Sequence, residues 1–283
     1  GLHGAETNPN LPETPERQAE ETYKAYKAGA SIVHIHARDP KLGYATGTSR
    51  TEDFYRCNKL IREACPDIII NNTTGGSIGL SAEQRVSSVL ANPELASLNC
   101  GPVDFKAKMK KRLAPLSGRD EDIEVDFVNP INFAETEYFA KTMKEHDVKP
   151  ELEIYHTGQF WLVDNLIRKG LIDPPYMCQF VMGMTSGIYP SPMGLIEMIR
   201  GIPDDALFQV IGVGPQQLPL TTMGILMGGH VRVGLEDNVY YKRGELATDA
   251  QLVERTVRIA HELGREIATP AQARKMLRIS EQP

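Results

Sequence analysis

The chain has 283 residues, 41% hydrophobic and 24% charged, with 31 Lys+Arg against 37 Asp+Glu and a formal net charge of −6. That mild acidity excludes a basic protein that tracks nucleic-acid backbones, and no run approaches the ~18 apolar residues a membrane span needs. No signal-peptide pattern opens the chain, and Cys57, Cys65, Cys100 and Cys178 lack C-x-x-C spacing, so a reduced, cytoplasmic, globular protein is expected.

Short apolar, β-branched runs alternate with amphipathic stretches. The opening residues Gly1-Leu2-His3-Gly4-Ala5-Glu6 read as the loop that follows a strand. A helix starts at Pro15 behind Thr14, with Glu16 and Glu20 near its positive end, and stops at Ala28-Gly29. Strands are expected at 31–36, 67–71, 96–99, 150–155, 177–181, 206–211 and 231–234. Most are continuously apolar, the pattern of strands buried on both faces of a parallel sheet. Helices are expected over 51–64, 82–91, 131–146, 158–169, 191–200, 216–227 and 249–263. Gly264 follows the last of these, and Thr269-Pro270 opens one more short helix.

Seven strands in strict alternation with helices favour a (β/α)8 TIM barrel over an open sheet. A barrel needs an eighth strand, and its place is ahead of residue 1, so the first strand is expected to be truncated or missing. With no internal repeat and no linker, residues 1–283 read as one barrel domain. The stretch 102–130 reads as an irregular excursion, too long for an ordinary connection. Its cationic run, Lys106 to Arg112, admits two readings: a solvated loop or subunit contact, or an anchor for the phosphates of an anionic cosubstrate.

The strongest local signal is Val33-His34-Ile35-His36-Ala37-Arg38-Asp39. Residues two apart on a strand share a face, so both imidazoles point one way, at the strand end where barrels build active sites. Two converging imidazoles are half of a metal site, though a histidine pair is also an ordinary polar packing feature. The last strand, Gly228-Gly229-His230-Val-Arg232-Val-Gly234-Leu-Glu236-Asp237-Asn238, delivers three charged groups to the same rim. Across a missing first strand, Glu236 could complete a two-histidine, one-carboxylate set with open coordination positions. Arg232 and Asp237 read either as an ion pair that tunes a proton-transfer group or as a structural pair. His230 precedes the strand and reads as structural, and His146 and His261 as helix-surface residues.

Asn71-Asn72-Thr73-Thr74-Gly75-Gly76-Ser77 follows a buried strand and offers hydroxyls and backbone N–H groups that suit a carboxylate or phosphate. A structural strand-to-helix turn would look the same. Ser97-Leu98-Asn99-Cys100 repeats the theme. On the strand at 150–155, Glu151, Glu153 and Tyr155 share a face; if it is inward, Glu153 is a buried acid near substrate. Gly212-Val-Gly214 could admit a ligand to the backbone or simply turn the chain. Glu6 belongs to the rim loop beside His34, His36 and Glu236.

Taken together, these motifs resemble the β-keto acid cleavage enzyme family. The likeness runs from Gly4-Ala5-Glu6 and Asn10-Leu-Pro12-x-Thr14-Pro15-Glu16 through Ala28-Gly29-Ala30-x-x-Val33-His34-x-His36 and Thr74-Gly75-Gly76. It continues over Pro93-Glu94-x-Ala96, Pro150-Glu151-x-Glu153 and the Gly228–Asn238 stretch to Ala268-Thr269-Pro270-x-Gln272-Ala273. The resemblance implies a (β/α)8 barrel, a homotetramer, and one Zn²⁺ on His34, His36 and Glu236. It implies that a β-keto acid and acetyl-CoA give acetoacetate and a new acyl-CoA. By the same resemblance Glu6, Thr73, Ser97 and Glu153, with Thr74 and Gly76 beside them, contact substrate or its polar surroundings. Arg232 and Asp237 form the proton-moving dyad, Asp237 being the base for the acetyl group. The chain differs from a member acting on an amino-substituted keto acid at Thr73 and Ser97, where that member has serine and threonine, and at His156, where it has an acid. A CoA-independent metal hydrolase or aldolase on the same rim, and a non-catalytic metal- or ligand-binding barrel, are the competing expectations.

Overall fold

The computed structural model describes residues 3–75 and 79–281. In chain order the elements are α1 Pro15–Lys27, β1 Ile32–Ile35, α2 Thr51–Ala64, β2 Ile69–Asn72, α3 Ala82–Val86, β3 Leu95–Asn99, β4 Val103–Met109 and β5 Ile123–Asn129. There follow α4 Phe133–Glu145, β6 Lys149–Ile154, α5 Phe160–Arg168, β7 Tyr176–Met182, α6 Pro192–Arg200, β8 Ala206–Gly212, α7 Gln217–Leu226 and β9 His230–Val231. The chain finishes with β10 Tyr240–Lys242, β11 Glu245–Leu246, α8 Asp249–Glu262 and α9 Pro270–Leu277.

The apolar runs do what their burial demands. Seven of them form one parallel sheet in the order β1-β2-β3-β6-β7-β8-β9, so the strands add in chain order with helices between, the (β/α)-barrel pattern. All seven expected strands are present, within a few residues of their expected ends. Among the described residues β1 and β9 are the sheet edges. The sheet nonetheless curls, because His36 just after β1 and Glu236 just after β9 meet at 2.7 Å. Among the described residues, no strand separates them at this rim.

Local chemistry sets the helix ends. Thr14 accepts the Arg17 N–H at the start of α1, and Asn132–Glu135, Thr248–Gln251 and Thr269–Gln272 make reciprocal capping boxes on α4, α8 and α9. Gly29 takes φ +116°, the conformation that lets the chain leave α1 and enter β1. The largest apolar cluster packs the outer sheet face against the helices, with Leu152, Ile154 and Phe180 meeting Phe139, Val163 and Leu195. Ile69, Leu95 and Met177 bury Ala273 and Leu277 of α9. This helix therefore plugs the end where the strands begin and leaves the opposite end open. The four cysteines are buried and free. No helix among the described residues is long and apolar enough to cross a membrane.

Three expectations need correction. The stretch 102–130 is irregular only over 110–122: on either side β4 and β5 pair as an antiparallel hairpin from Val103↔Asn129 to Met109↔Ile123. Its alternating sequence, with burial changing residue by residue, is an ordinary strand pattern hidden by its lysines. The helix expected over 82–91 is α3 followed by a 3₁₀ turn at Ser87–Ala91, because the Ser87 hydroxyl donates to the Ser49 and Gln84 carbonyls rather than supporting a longer helix. The last barrel strand stops at Val231 instead of running to 234. Beyond it the N–H groups of Asp237 and Asn238 turn back onto the Gly234 carbonyl.

Candidate active site

His34 lies on β1 and His36 directly after it, and their ring centroids are 5.1 Å apart. Glu236, on the turn after β9, completes the approach. His36 Nε2 is 2.7 Å from Glu236 Oε1, and His34 Nε2 is 3.9 Å from Glu236 Oε2. One ligand atom from each residue lies within 4.8 Å of the others. Burial holds the His34 imidazole well below its ordinary value and brings His36 down to about 4. Both rings are therefore neutral at pH 7 and keep a lone pair for a metal. His34 Nδ1 is buried without a hydrogen-bond partner and lies 4.0 Å from Glu151 Oε2. At that distance no hydrogen bond forms, so Nδ1 is a buried polar atom beside, but not bonded to, the Glu151 carboxyl. Two imidazoles and one carboxylate, with both Nε2 atoms converging on the acid, suit a divalent metal.

Arg232 grips both acids of the turn. Its Nη2 donates to Glu236 Oε2 at 2.7 Å and to Asp237 Oδ1 at 3.2 Å, while Nε donates to Asp237 Oδ2 at 3.1 Å. Burial opposes the Arg232 charge, but Asp237, Glu236, Glu151 and Glu153 outweigh it and hold the guanidinium protonated. Burial also raises Asp237 above an ordinary aspartate, with Arg232 pulling the other way. For Glu236, His36 and Arg232 overcome burial and keep the carboxyl well below its usual range. The Asp237 carbonyl accepts from Gly214 N at 2.7 Å, so the Gly212-Val213-Gly214 segment holds this turn in place.

Behind the rim the barrel interior is polar. Adjacent strands bring Asn99, Glu153, Gln179 and Gln209 into one register row. Glu153 accepts from Asn99 Nδ2 at 2.5 Å, Gln179 Nε2 at 3.2 Å and the Tyr155 hydroxyl at 3.4 Å. Its burial nevertheless pushes the carboxyl up to about 7. Glu151 accepts from Asn71 Nδ2 at 2.8 Å, Gln179 Nε2 at 3.1 Å and Gln209 Nε2 at 3.3 Å, and burial raises it too. Gln209 also donates to Gln179. A cavity of about 440 Å³ opens on this centre; His34, His36, Arg232, Glu236 and Asp237 line it, with His3 and Arg38.

The other expected site residues fall in two groups. Thr73 and Thr74 stand buried just after β2, and Ser97 is buried in the middle of β3. Ser97 Oγ accepts from Thr74 N at 3.1 Å, the Thr74 hydroxyl donates to the Ser97 carbonyl at 2.6 Å, and Thr73 Oγ1 accepts from Gly75 N at 2.9 Å. Gly76 lies outside the described residues. Glu6 is placed in an ion-pair cluster. Its Oε1 accepts from Arg119 Nη2 and its Oε2 from Arg112 Nη1, each at 2.6 Å.

Several residues of this arrangement had not been picked out. Gln179 and Gln209 carry a readable signal, an amide in the middle of an otherwise apolar strand. Arg85 is buried and donates to the Thr74 carbonyl at 2.9 Å and to Asn99 Oδ1 at 3.2 Å. That second bond turns the Asn99 amide so that its NH₂ faces Glu153. Arg112 is visible in the sequence only as the end of a cationic run, and Arg119 carries no local signal.

Comparison with known proteins identifies the family. The family model described as beta-keto acid cleavage enzyme matches residues 1–279. The chain is 41% identical over 276 residues to 3-keto-5-aminohexanoate cleavage enzyme from Acetoanaerobium sticklandii, covering 97% of this chain and 93% of that protein. It is 32% identical over 274 residues to 3-oxoadipate:acetyl-CoA acetyltransferase from Cupriavidus necator, covering 95% and 88%. Among solved structures, the ternary complex of ObcA with C4-CoA adduct and oxalate superposes with a TM-score of 0.73 at 19% identity, over 96% of this chain and 68% of that one. That likeness concerns the barrel fold. By sequence over nearly its whole length, the chain belongs to the β-keto acid cleavage enzyme family.

Proposed function

We propose that this chain is a zinc-dependent acyltransferase that converts a β-keto acid and acetyl-CoA into acetoacetate and a new acyl-CoA. The observation that carries the reading is the joined set His34–His36–Glu236–Arg232–Asp237, in which a metal-ligand triad and a proton-transfer pair share the Arg232 guanidinium. In the overall exchange the bond between the acyl group and the CH₂–COO⁻ fragment of the β-keto acid breaks. The acyl group ends on CoA, and the CH₂–COO⁻ fragment ends on the acetyl group.

His34, His36 and Glu236 would hold the Zn²⁺, which when bound supplies Lewis acidity for the oxygen of a β-keto group. Asp237 is the base that takes and returns the carbon-bound proton. The two contacts from Arg232 fix its carboxylate against rotation, which is what a positioned base needs. Arg232 Nη1 is buried with no hydrogen-bond partner, so one donor of this guanidinium is left for a carbonyl or carboxylate of the substrate. Thr73 and Thr74 after β2 and Ser97 within β3, together with Gly76 of the same motif, receive the substrate carboxylate. Glu153, tied to Asn99, Gln179 and Tyr155, would act on the substrate's surroundings from behind the cavity wall that Glu151 and Gln209 line.

The deciding experiment incubates zinc-loaded protein with β-keto acids, with and without acetyl-CoA, and follows acetoacetate. Formation that requires acetyl-CoA supports the proposal. Cleavage that proceeds equally without it would sink the transferase reading in favour of a metal hydrolase or aldolase.

A further inference from the structure

The loop at the end of the β4–β5 hairpin returns to the rim and inserts two arginines there. Arg112 is 1% exposed at its side chain and Arg119 6%, and they meet acids of 4% and 8% exposure, Glu6 and Glu13. Arg112 holds Glu13 in a two-point contact, Nη1 to Oε1 at 2.7 Å and Nη2 to Oε2 at 2.8 Å, while its Nη1 also reaches Glu6. Arg119 takes the other oxygen of Glu6, which also accepts from Gly4 N at 3.1 Å. The remaining donors are anchored to backbone: Arg112 Nε to the Ser117 carbonyl at 2.7 Å, and Arg119 Nε to the Lys110 carbonyl at 2.8 Å. Both oxygens of Glu6 are thus occupied by arginine, and the acid is not free to pair with a cation from the cavity.

A third guanidinium completes the cluster. Arg38 follows the histidine pair at the same alternation and lines the cavity; its Nη1 lies 3.9 Å from Glu13 Oε1, and its Nη2 donates to the His3 carbonyl. Within the cluster three guanidiniums face two carboxylates; the further acid acting on Arg38, Glu236, is itself held by Arg232 and His36, so the excess positive charge is presented through Arg38. Of the other acids lining the cavity, Glu21 stands on α1, Asp249 at the start of α8, Glu266 after it and Glu151 on β6, while Glu236 and Asp237 are held by Arg232, so none belongs to this cluster. An uncompensated positive charge behind an otherwise buried rim favours an anionic group and repels an ammonium.

We propose that Arg112 and Arg119, by neutralising Glu6 and leaving Arg38 in excess, select β-keto acids whose far end is anionic over those whose far end carries an amine. The inference rests on the β-keto acid cleavage reading and supplies its substrate class. It departs from simple transfer of the substrate named for the 41% identical relative.

The test measures kcat/KM as acetyl-CoA-dependent acetoacetate formation with 3-oxoadipate, 3-oxohexanoate and 3-keto-5-aminohexanoate, whose far ends are anionic, neutral and cationic. Wild-type protein is expected to rank them in that order, the extremes differing by at least about tenfold, the scale of one charge–charge preference at a partly buried site. Arg119→Gln is expected to shrink that ratio by about tenfold, and Arg119→Lys, which keeps the charge, to preserve it. A wild-type preference for the amino substrate overturns the proposal without any variant. So does an unchanged ratio in folded Arg119→Gln. No acetyl-CoA-dependent turnover of any of the three would instead overturn the reaction itself, and this inference with it.

Discussion

Replacing Glu153 by glutamine isolates the cost of keeping an acid inside the barrel. Glu153 is 8% exposed, and its burial places the carboxyl at about 7 in the folded chain against an ordinary 4.5. That gap corresponds to about 3 kcal/mol between the folded and unfolded states. The sign follows from which state ionises first. Below the ordinary value the carboxyl is protonated in both states and costs nothing. Between the two values the unfolded chain releases its proton while the folded chain keeps it, so stability falls as pH rises. Above about 7 both states are ionised and the loss is complete. Glutamine cannot ionise, so in metal-free protein the unfolding free energy of Glu153→Gln minus that of wild type should grow by about 3 kcal/mol across this window. Urea unfolding in steps from about pH 4.5 to about pH 8 reads it directly. Any change in the contacts with Asn99 and Gln179 adds a constant offset and leaves the slope intact. A difference that stays flat across the window would refute burial as the force on this carboxyl.

Glu236→Gln removes the anionic donor of the proposed metal set; folded variant should hold far less than one zinc per chain after dialysis, and full occupancy by elemental analysis would remove Glu236 as a ligand. Asp237→Asn leaves the three ligands in place, so zinc content should be retained while kcat falls by about 10²–10⁴-fold, and near-normal turnover would exclude Asp237 as the base. Gly4→Ala would place a Cβ among Glu13 Oε1, Arg112 Nη1 and Glu6 Oε2. It should therefore destabilise the fold by about 1–3 kcal/mol in thermal or urea unfolding, and an unchanged midpoint would show that the cluster can move aside.

The barrel was legible because its strands are buried on both faces and so read as unbroken apolar runs. The candidate metal set is legible because His34 and His36 alternate at a strand end, while Glu236 and Asp237 lie just past another. The mistakes have physical causes. The β4–β5 hairpin has one face in solvent, and its lysines disguised an ordinary period-two alternation. The partners of Arg112 lie 99 and 106 residues away in the chain, so no local pattern announces them. Glu6, read as a rim-loop acid and by family resemblance as a substrate contact, is not a mistake of this kind; its arginine partners are what the local sequence does not announce. What surrounds it is decided by the length and composition of a hairpin elsewhere in the sequence. The interior amides Gln179 and Gln209 were passed over although a polar residue inside a buried strand always demands a partner.

The Glu151 carboxylate also has a consequence for how this sequence can change over generations. Asn71, Gln179 and Gln209, from three different strands, all donate to that one buried acid. Losing one amide leaves an acceptor lone pair stranded where water does not replace it, and losing a second strands another. Changes at these positions are therefore epistatic: a substitution tolerated in one background is lethal in the next, and Glu151 itself becomes easy to replace only after its donors have gone. Descendants of this chain should keep all four residues or exchange them together, so that joint replacement, rather than independent drift, is the signature this interior leaves in its lineage.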